Sequence, residues 1–311
     1  MTSDEIFAAV DARQLNQIPG GVTAKELAGA QSGHGWSALH EAAHCSILDQ
    51  VKGGVTVSQL ARARNDEGWT ALHVAMKYGS LSHIRGKLTV RALAAVADNE
   101  GRTVLHSAVY NRRLDCLHGK IIVEQLFAVR DNNGFSALSE IGSQIALLDG
   151  GATFAQLVAA KGRRGYTPID RLADSGELNL IRGGVAAIEL RSVKPDNSDD
   201  ALMAALWMGC PLEQIRGGVP RGLVSLYELN KVLTSTLQFD GANAFELIQL
   251  GADQTVVLEA IRNANANILA ENNGKYDRDQ KARMRMLLKL AAELKLSLDN
   301  LVDPLVTAAL L

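Results

Sequence analysis

The residues best suited to chemistry are His40-Glu41-Ala42-Ala43-His44, which fit H-E-x-x-H. On a helix that spacing puts two imidazoles on one face as zinc ligands. The glutamate then sits beside the metal-bound water as a general base for hydrolysis. The pattern nominates neither a third ligand nor a cleft. Cys45 follows His44 directly, but adjacent helical residues point in different directions, so that pair is expected to be idle. Glycine steps such as Arg182-Gly183-Gly184 and Arg216-Gly217-Gly218 could cradle phosphate, yet no GxxxxGK[ST] pattern accompanies them. Aromatic residues are scarce, at 5%, but they cluster just after recurring glycines as Trp36, Trp69, Phe135 and Tyr166, with Arg102 in the remaining place. Trp, Tyr and Arg are the side chains most enriched in binding hot spots.

The elements that must carry these residues repeat. Gly35, Gly68, Gly101 and Gly134 each open a glycine-x-Ser/Thr-apolar run every 33 residues, and Gly165 follows after 31. A second marker, an apolar residue followed closely by GG or GK, recurs at Gly20, Gly53, Gly86, Gly119, Gly150, Gly183 and Gly217. Two markers in one register define a structural unit of about 33 residues. Ser37, Thr70, Thr103, Ser136 and Thr167 are natural N-caps for the apolar stretch that follows. The helix opened at Thr70 is read through Leu81 and Ile84, an i, i+3 continuation of its apolar face, to a stop at Arg85-Gly86. Thr89–Leu93 reads as a second short helix, and Asp98–Gly101 as a turn into the next copy. One such unit is too small to bury a core, so units must stack.

The 33-residue period and the runs SALHEA at 37–42, TALHVA at 70–75 and TVLHSA at 103–108 resemble the ankyrin repeat. SALSEI at 136–141 and TPIDRL at 167–172 have lost the histidine. The resemblance spans Thr2 to Gly218, roughly two-thirds of the chain. It implies an all-α fold: an ankyrin-like helical repeat solenoid over 1–218, followed by a helical C-terminal module over 219–311. The glycine step inside each unit departs from the family pattern, and predicts an all-helical layer where the hairpin fingers would lie. The resemblance implies that His40, His73 and His106 are structural and hydrogen-bond a neighbouring loop. It also implies that Trp36, Trp69, Arg102, Phe135 and Tyr166 line a concave partner-binding face. His44, Lys77 and Tyr110 form a second column there, with Tyr78, Asn111 and Arg112 beside it.

Since His40 belongs to the repeat, H-E-x-x-H needs only His44 as an added residue, and the preferred reading has no catalytic residue, no metal and no cofactor. The expected function is a non-catalytic scaffold that binds a protein partner. The alternatives are a zinc-dependent hydrolase using His40 and His44, and a regulatory subunit or secreted bacterial effector acting through C-terminal helices. Lys+Arg 32 against Asp+Glu 34 leaves a net charge of −2, no field for nucleic acid or an anionic membrane. Three cysteines without a CxxC suit a reducing compartment. The start of the chain lacks the basic and apolar regions of a signal peptide, and no apolar run is long enough for a span. Cytoplasmic or other intracellular residence is expected, and translocation as an effector is compatible with it. A basic run from Lys275 to Lys289 is read as the solvated face of a helix.

Overall fold

A computed structural model of the 311-residue chain describes residues 1–79, 81–196, 198–238, 243–270 and 278–297. The fold is mostly helical. Two compact units are present: Met1–Pro168 with Leu180–Arg182, and Ile169–Asn179 with the chain from Gly183 onward.

The first unit is built from pairs of short helices: α1 (Ser3–Asp11), α2 (Ala24–Gly29), α3 (Ala38–His44), α4 (Val57–Arg62), α5 (Ala71–Tyr78), α6 (Val90–Ala94), α7 (Val104–Tyr110), α8 (Val123–Ala128) and α9 (Phe154–Ala159). The second helix of a pair starts at a reciprocal cap. Thr23 with Glu26, Thr56 with Gln59 and Thr153 with Gln156 each exchange side chain-to-backbone bonds. This capping box satisfies two otherwise orphaned amides at once. A Thr-x-x-Glu/Gln spacing at those positions marks the start in sequence.

The core is a set of leucine columns at the repeat period. Leu39, Leu72, Leu105 and Leu138 form one, and Leu27, Leu60, Leu93 and Leu126 another, all fully buried. Each contributes roughly 2–3 kcal/mol by leaving water. None could do so in an isolated unit, because its cover comes from the neighbouring copy: α1 packs on α3, α3 on α5, and α5 on α7.

Two sequence expectations are corrected here. The first helix of the unit does not run to the glycine step. α5 ends at Gly79, which is left-handed (φ 81°, ψ 16°), and the apolar continuation in the neighbouring units is a separate one-turn 3₁₀ helix, as at Leu15–Gln17, Leu48–Gln50 and Leu114–Cys116. Arg13, Ser46 and Arg112 occupy the place of Gly79 with φ of 57°, 58° and 57°. An i, i+3 apolar spacing is shared by a continuous helix and by a break followed by a tighter turn, and so does not tell them apart.

The second correction concerns the glycine-step edge, which is not all-helical. β1 (Val55–Thr56) pairs in parallel with β2 (Ile84–Arg85), and parallel bridges join Thr23 to Lys52 and Thr153 to Arg182. Backbone bonds of the same kind run from Lys52 N–H to the Val22 carbonyl (2.8 Å), from His118 N–H to that of Leu88 (2.6 Å), and from Asp149 N–H to that of Ile121 (2.7 Å). The paired glycines make the turn that brings each extended pair of residues into line. On the loop edge, hairpins survive as single antiparallel bridges, Gln31 with Ser37, Arg64 with Thr70, Ala97 with Thr103 and Arg130 with Ser136.

The copy beginning at Gly134 is two residues shorter, and the chain responds by winding Ala137–Glu140 and Gly142–Leu147 as 3₁₀ helix. The buried Gln144 fills the shortfall: its amide donates to the Val109 carbonyl (2.7 Å), and its oxygen accepts from Leu114 N–H (3.2 Å).

In the second unit α11 (Ala187–Ser192) packs on α12 (Ala201–Trp207), and Arg216 N–H donates to the Val185 carbonyl at 2.8 Å. It is preceded by α10 (Pro168–Ser175), which begins at the last residue of the first unit's long segment. Helices α13 (Leu226–Thr236), α14 (Ala244–Leu250), α15 (Thr255–Ala270) and α16 (Arg278–Glu293) follow, with α13 against α14 and α15, and α15 against α16. Lys275 of the basic run lies outside the described residues; Arg283 is turned inward, donating to the Leu237 carbonyl at 3.0 Å.

Arg112→Gly should raise unfolding free energy by about 1 kcal/mol in urea titration, because the left-handed conformation strains any residue with a β-carbon. Gly68→Ala should cost about 2 kcal/mol or more in the same measurement. At φ 79° its added carbon would lie 2.4 Å from Asn99 Oδ1 and 2.6 Å from the Asn99 nitrogen.

Candidate functional site

The histidines of the repeat are joints between copies. The backbone N–H of Thr70 donates to His73 Nδ1 at 3.2 Å, and the Thr70 hydroxyl lies 2.9 Å from the same nitrogen. Nδ1 therefore carries the lone pair, and Nε2 bears the hydrogen it donates to the Arg102 carbonyl, 3.2 Å away in the next loop. The pattern repeats for His40 with Ser37 and the Trp69 carbonyl, and for His106 with Thr103 and the Phe135 carbonyl. Where Ser139 replaces the histidine, its short hydroxyl turns back to the Ser136 carbonyl, and Ser136 Oγ is left buried without a partner.

The receiving loops are tightly ordered. Asp98 Oδ1 accepts from the amides of Glu100 (3.0 Å) and Arg102 (2.8 Å), and Asp131 Oδ1 does the same for Asn133 and Phe135 at 2.9 Å each. The loops also bond to one another, through Asn99 Nδ2 to the Asp66 carbonyl and Asn132 Nδ2 to the Asn99 carbonyl.

On this frame the loop column is not uniform. Trp36 stacks on His40 with ring centroids 4.8 Å apart, and Trp69 on His73 at 5.9 Å. Both tryptophans are half-buried, as is Phe135. Arg102 is held by Asp98 (3.1 Å) and Glu100 (3.3 Å), while the Tyr166 ring is exposed. The second column stands further out. Lys77 Nζ lies 5.5 Å from the Trp69 ring and 5.2 Å from the Tyr78 ring, the reach of a cation–π contact. The His44 ring meets the edge of Tyr78 at 4.4 Å, and Tyr110 is 70% exposed. His44, Lys77, Tyr78, Trp69 and Trp36 thus form one linked surface; Phe135, Arg102 and Tyr166 are not joined to it by ring or ion contacts among the described residues.

H-E-x-x-H does not assemble as a two-histidine site. His40 is fully buried, with both ring nitrogens engaged by Ser37 and Trp69. The group that does converge is Glu41, His44 and Cys45, whose donor atoms lie within 4.8 Å of one another. His44 and Cys45 flank Glu41, one at i+3 and the other at i+4, and both reach its Oε1. Burial alone would raise the Glu41 carboxyl, but hydrogen bonds from His44, Trp36 and Cys45 outweigh it and hold it below the usual carboxylate range. Burial, with the charge of Glu41, pushes the Cys45 thiol up.

No helix of the described residues is long and apolar enough to cross a membrane. Residues 48–119 match the ankyrin repeat family in three copies, and no curated protein matches the chain.

Burial pulls His73 down to about 4 and lowers His40 and His106 as well. A folded-state value below the unfolded value of 6.5 means that the unfolded chain takes up more protons between the two. Stability should therefore be complete above pH 6.5 and fall as pH drops from there toward 4, with His73 alone accounting for roughly 3 kcal/mol. Denaturant titrations across that window are the check, with the loss reduced in a His73→Gln background and the remainder left to His40 and His106.

The stacked units, the histidine joints and the three matched copies agree: residues 48–119 are built as ankyrin repeats.

Proposed function

We propose that the chain is a non-catalytic protein-binding scaffold that grips its partner on the face carrying Trp36, Trp69, Arg102, Phe135 and Tyr166 and the column His44, Lys77 and Tyr110. Ankyrin repeats generally act as protein-interaction modules, which supports the class of activity. In this reading residues 1–218 supply the array, and the helices from 219 onward form a separate module.

The observation that carries the reading is the state of the outer column. Lys77 is bracketed by two aromatic rings, and Tyr110 is 70% exposed on the next helix. These positions vary freely from copy to copy, since the repeat demands only the small and apolar residues between them. A large exposed ring at such a position has no packing duty, and a rigid frame lets it bind with little loss of conformational freedom.

Tyr166 and Tyr110 are exposed enough to be truncated without touching the core. Affinity capture from the native cell with the whole chain, followed by binding measurements on the purified partner, tests the face directly. Lys77→Ala with Tyr110→Ala should weaken binding by about 2 kcal/mol or more, roughly 30-fold. A folded double variant with unchanged affinity would move the contact off this face.

A further inference from the structure

The cluster at the end of α3 is not part of the repeat. In the 33-residue register Glu41 corresponds to Val74 and Ser107, His44 to Lys77 and Tyr110, and Cys45 to Tyr78 and Asn111. Neighbouring copies place no comparable donor set there, so stacking does not require these three residues. They nonetheless converge. Glu41 Oε1 lies 3.0 Å from His44 Nδ1 and 3.5 Å from Cys45 Sγ, and all three donors fall within 4.8 Å. Tetrahedral Zn²⁺ with bonds of about 2.0–2.3 Å needs donors roughly 3.3–3.7 Å apart. Two of these separations are already close to that range, before any ion draws the groups in.

The surroundings hold the ligands in place. Trp36 Nε1–H donates to the other carboxylate oxygen, Oε2, at 2.9 Å, leaving Oε1 to face His44 and Cys45. The Tyr78 ring abuts the His44 ring edge-on, limiting its rotation. Partners of this kind orient first ligands and sharpen affinity. His44 is exposed, so water can complete a fourth position.

We propose that Glu41, His44 and Cys45 form a Zn²⁺ site with three protein ligands: Oε1, Nδ1 and Sγ. A mixed oxygen, nitrogen and sulfur set of this softness selects zinc over magnesium or calcium. On binding, the Cys45 thiol loses its proton to solvent as the S–Zn bond forms. The hydrogen that His44 Nδ1 donates to Glu41 passes to solvent, and the ring takes up one from solvent on Nε2, so that it stays neutral and presents the Nδ1 lone pair to the metal. No redox change is involved. The site is distinct from a His40–His44 pair and does not depend on the partner-binding reading.

Zn²⁺ alone, titrated into the whole reduced chain against a chromophoric chelator, should show one tight equivalent. Co²⁺ in its place should give a thiolate-to-metal absorption band. Cys45→Ser and His44→Gln should each weaken Zn²⁺ binding by about 100-fold or more and abolish the band, while Cys116→Ser leaves both intact. Trp36→Phe, which keeps every ligand but frees the carboxylate, should weaken binding about 10-fold. Because His44 is exposed, its variant decides the matter if Cys45→Ser fails to fold. Absence of a tight equivalent in the unmodified chain, or uptake unchanged by His44→Gln, overturns the site.

Discussion

The carbonyl oxygens of Trp69, Arg102 and Phe135 are where one copy is tied to the next. Each closes its own loop by accepting an amide, from Asn65, Asp98 and Asp131 in turn, and each also accepts the Nε2–H of the preceding copy's histidine. One backbone atom thus fixes both the loop conformation and the stacking step. The imidazole suits this place because it must accept on one nitrogen and donate on the other, which only its neutral form can do. Burial keeps it neutral. The Gly134 copy illustrates the dependence: without the histidine, the Ser136 cap hydroxyl is left buried and unsatisfied, and the Ser139 hydroxyl turns back to the Ser136 carbonyl instead of reaching the next loop.

Around that tie the molecule is held by two further ladders. The leucine columns bury apolar surface that no single copy could cover, and the parallel backbone bonds along the glycine-step edge satisfy amides that would otherwise face a neighbouring copy unpaired. The left-handed residue after each first helix links the two. By breaking the helix at Arg13, Ser46, Gly79 and Arg112, it turns the chain so that the following residues reach the edge in extended form. A longer helix would carry the chain past the point where Val55 and Ile84 can pair.

This division of labour explains where function can reside. The leucine columns recur from copy to copy, whereas the residues that close each first helix, His44, Lys77, Tyr78 and Tyr110, are exposed and differ between copies. Glu41, His44 and Cys45 occupy that last turn in one copy, Lys77 and Tyr78 in the next, and Tyr110 in the third. Chemistry and recognition are therefore confined to a narrow strip, on a frame rigid enough to hold it.

The repeat, its period, its helices and their threonine caps were legible in the residue order, because local propensity and stacking favour the same structure. The Thr-x-x-Glu/Gln boxes at Thr23, Thr56 and Thr153 are equally local, each a cap and its partner three residues apart. Tertiary structure alone decided three things. Whether Leu81 and Ile84 extend a helix or follow a break rests on a left-handed residue, and Arg13 or Arg112 carries no sign of that conformation in its type. The parallel edge depends on backbone bonds between copies, which side-chain patterns do not encode. The grouping of Cys45 with His44 depends on where α3 ends and on both residues meeting the one carboxylate between their directions, a geometry that sequence adjacency concealed.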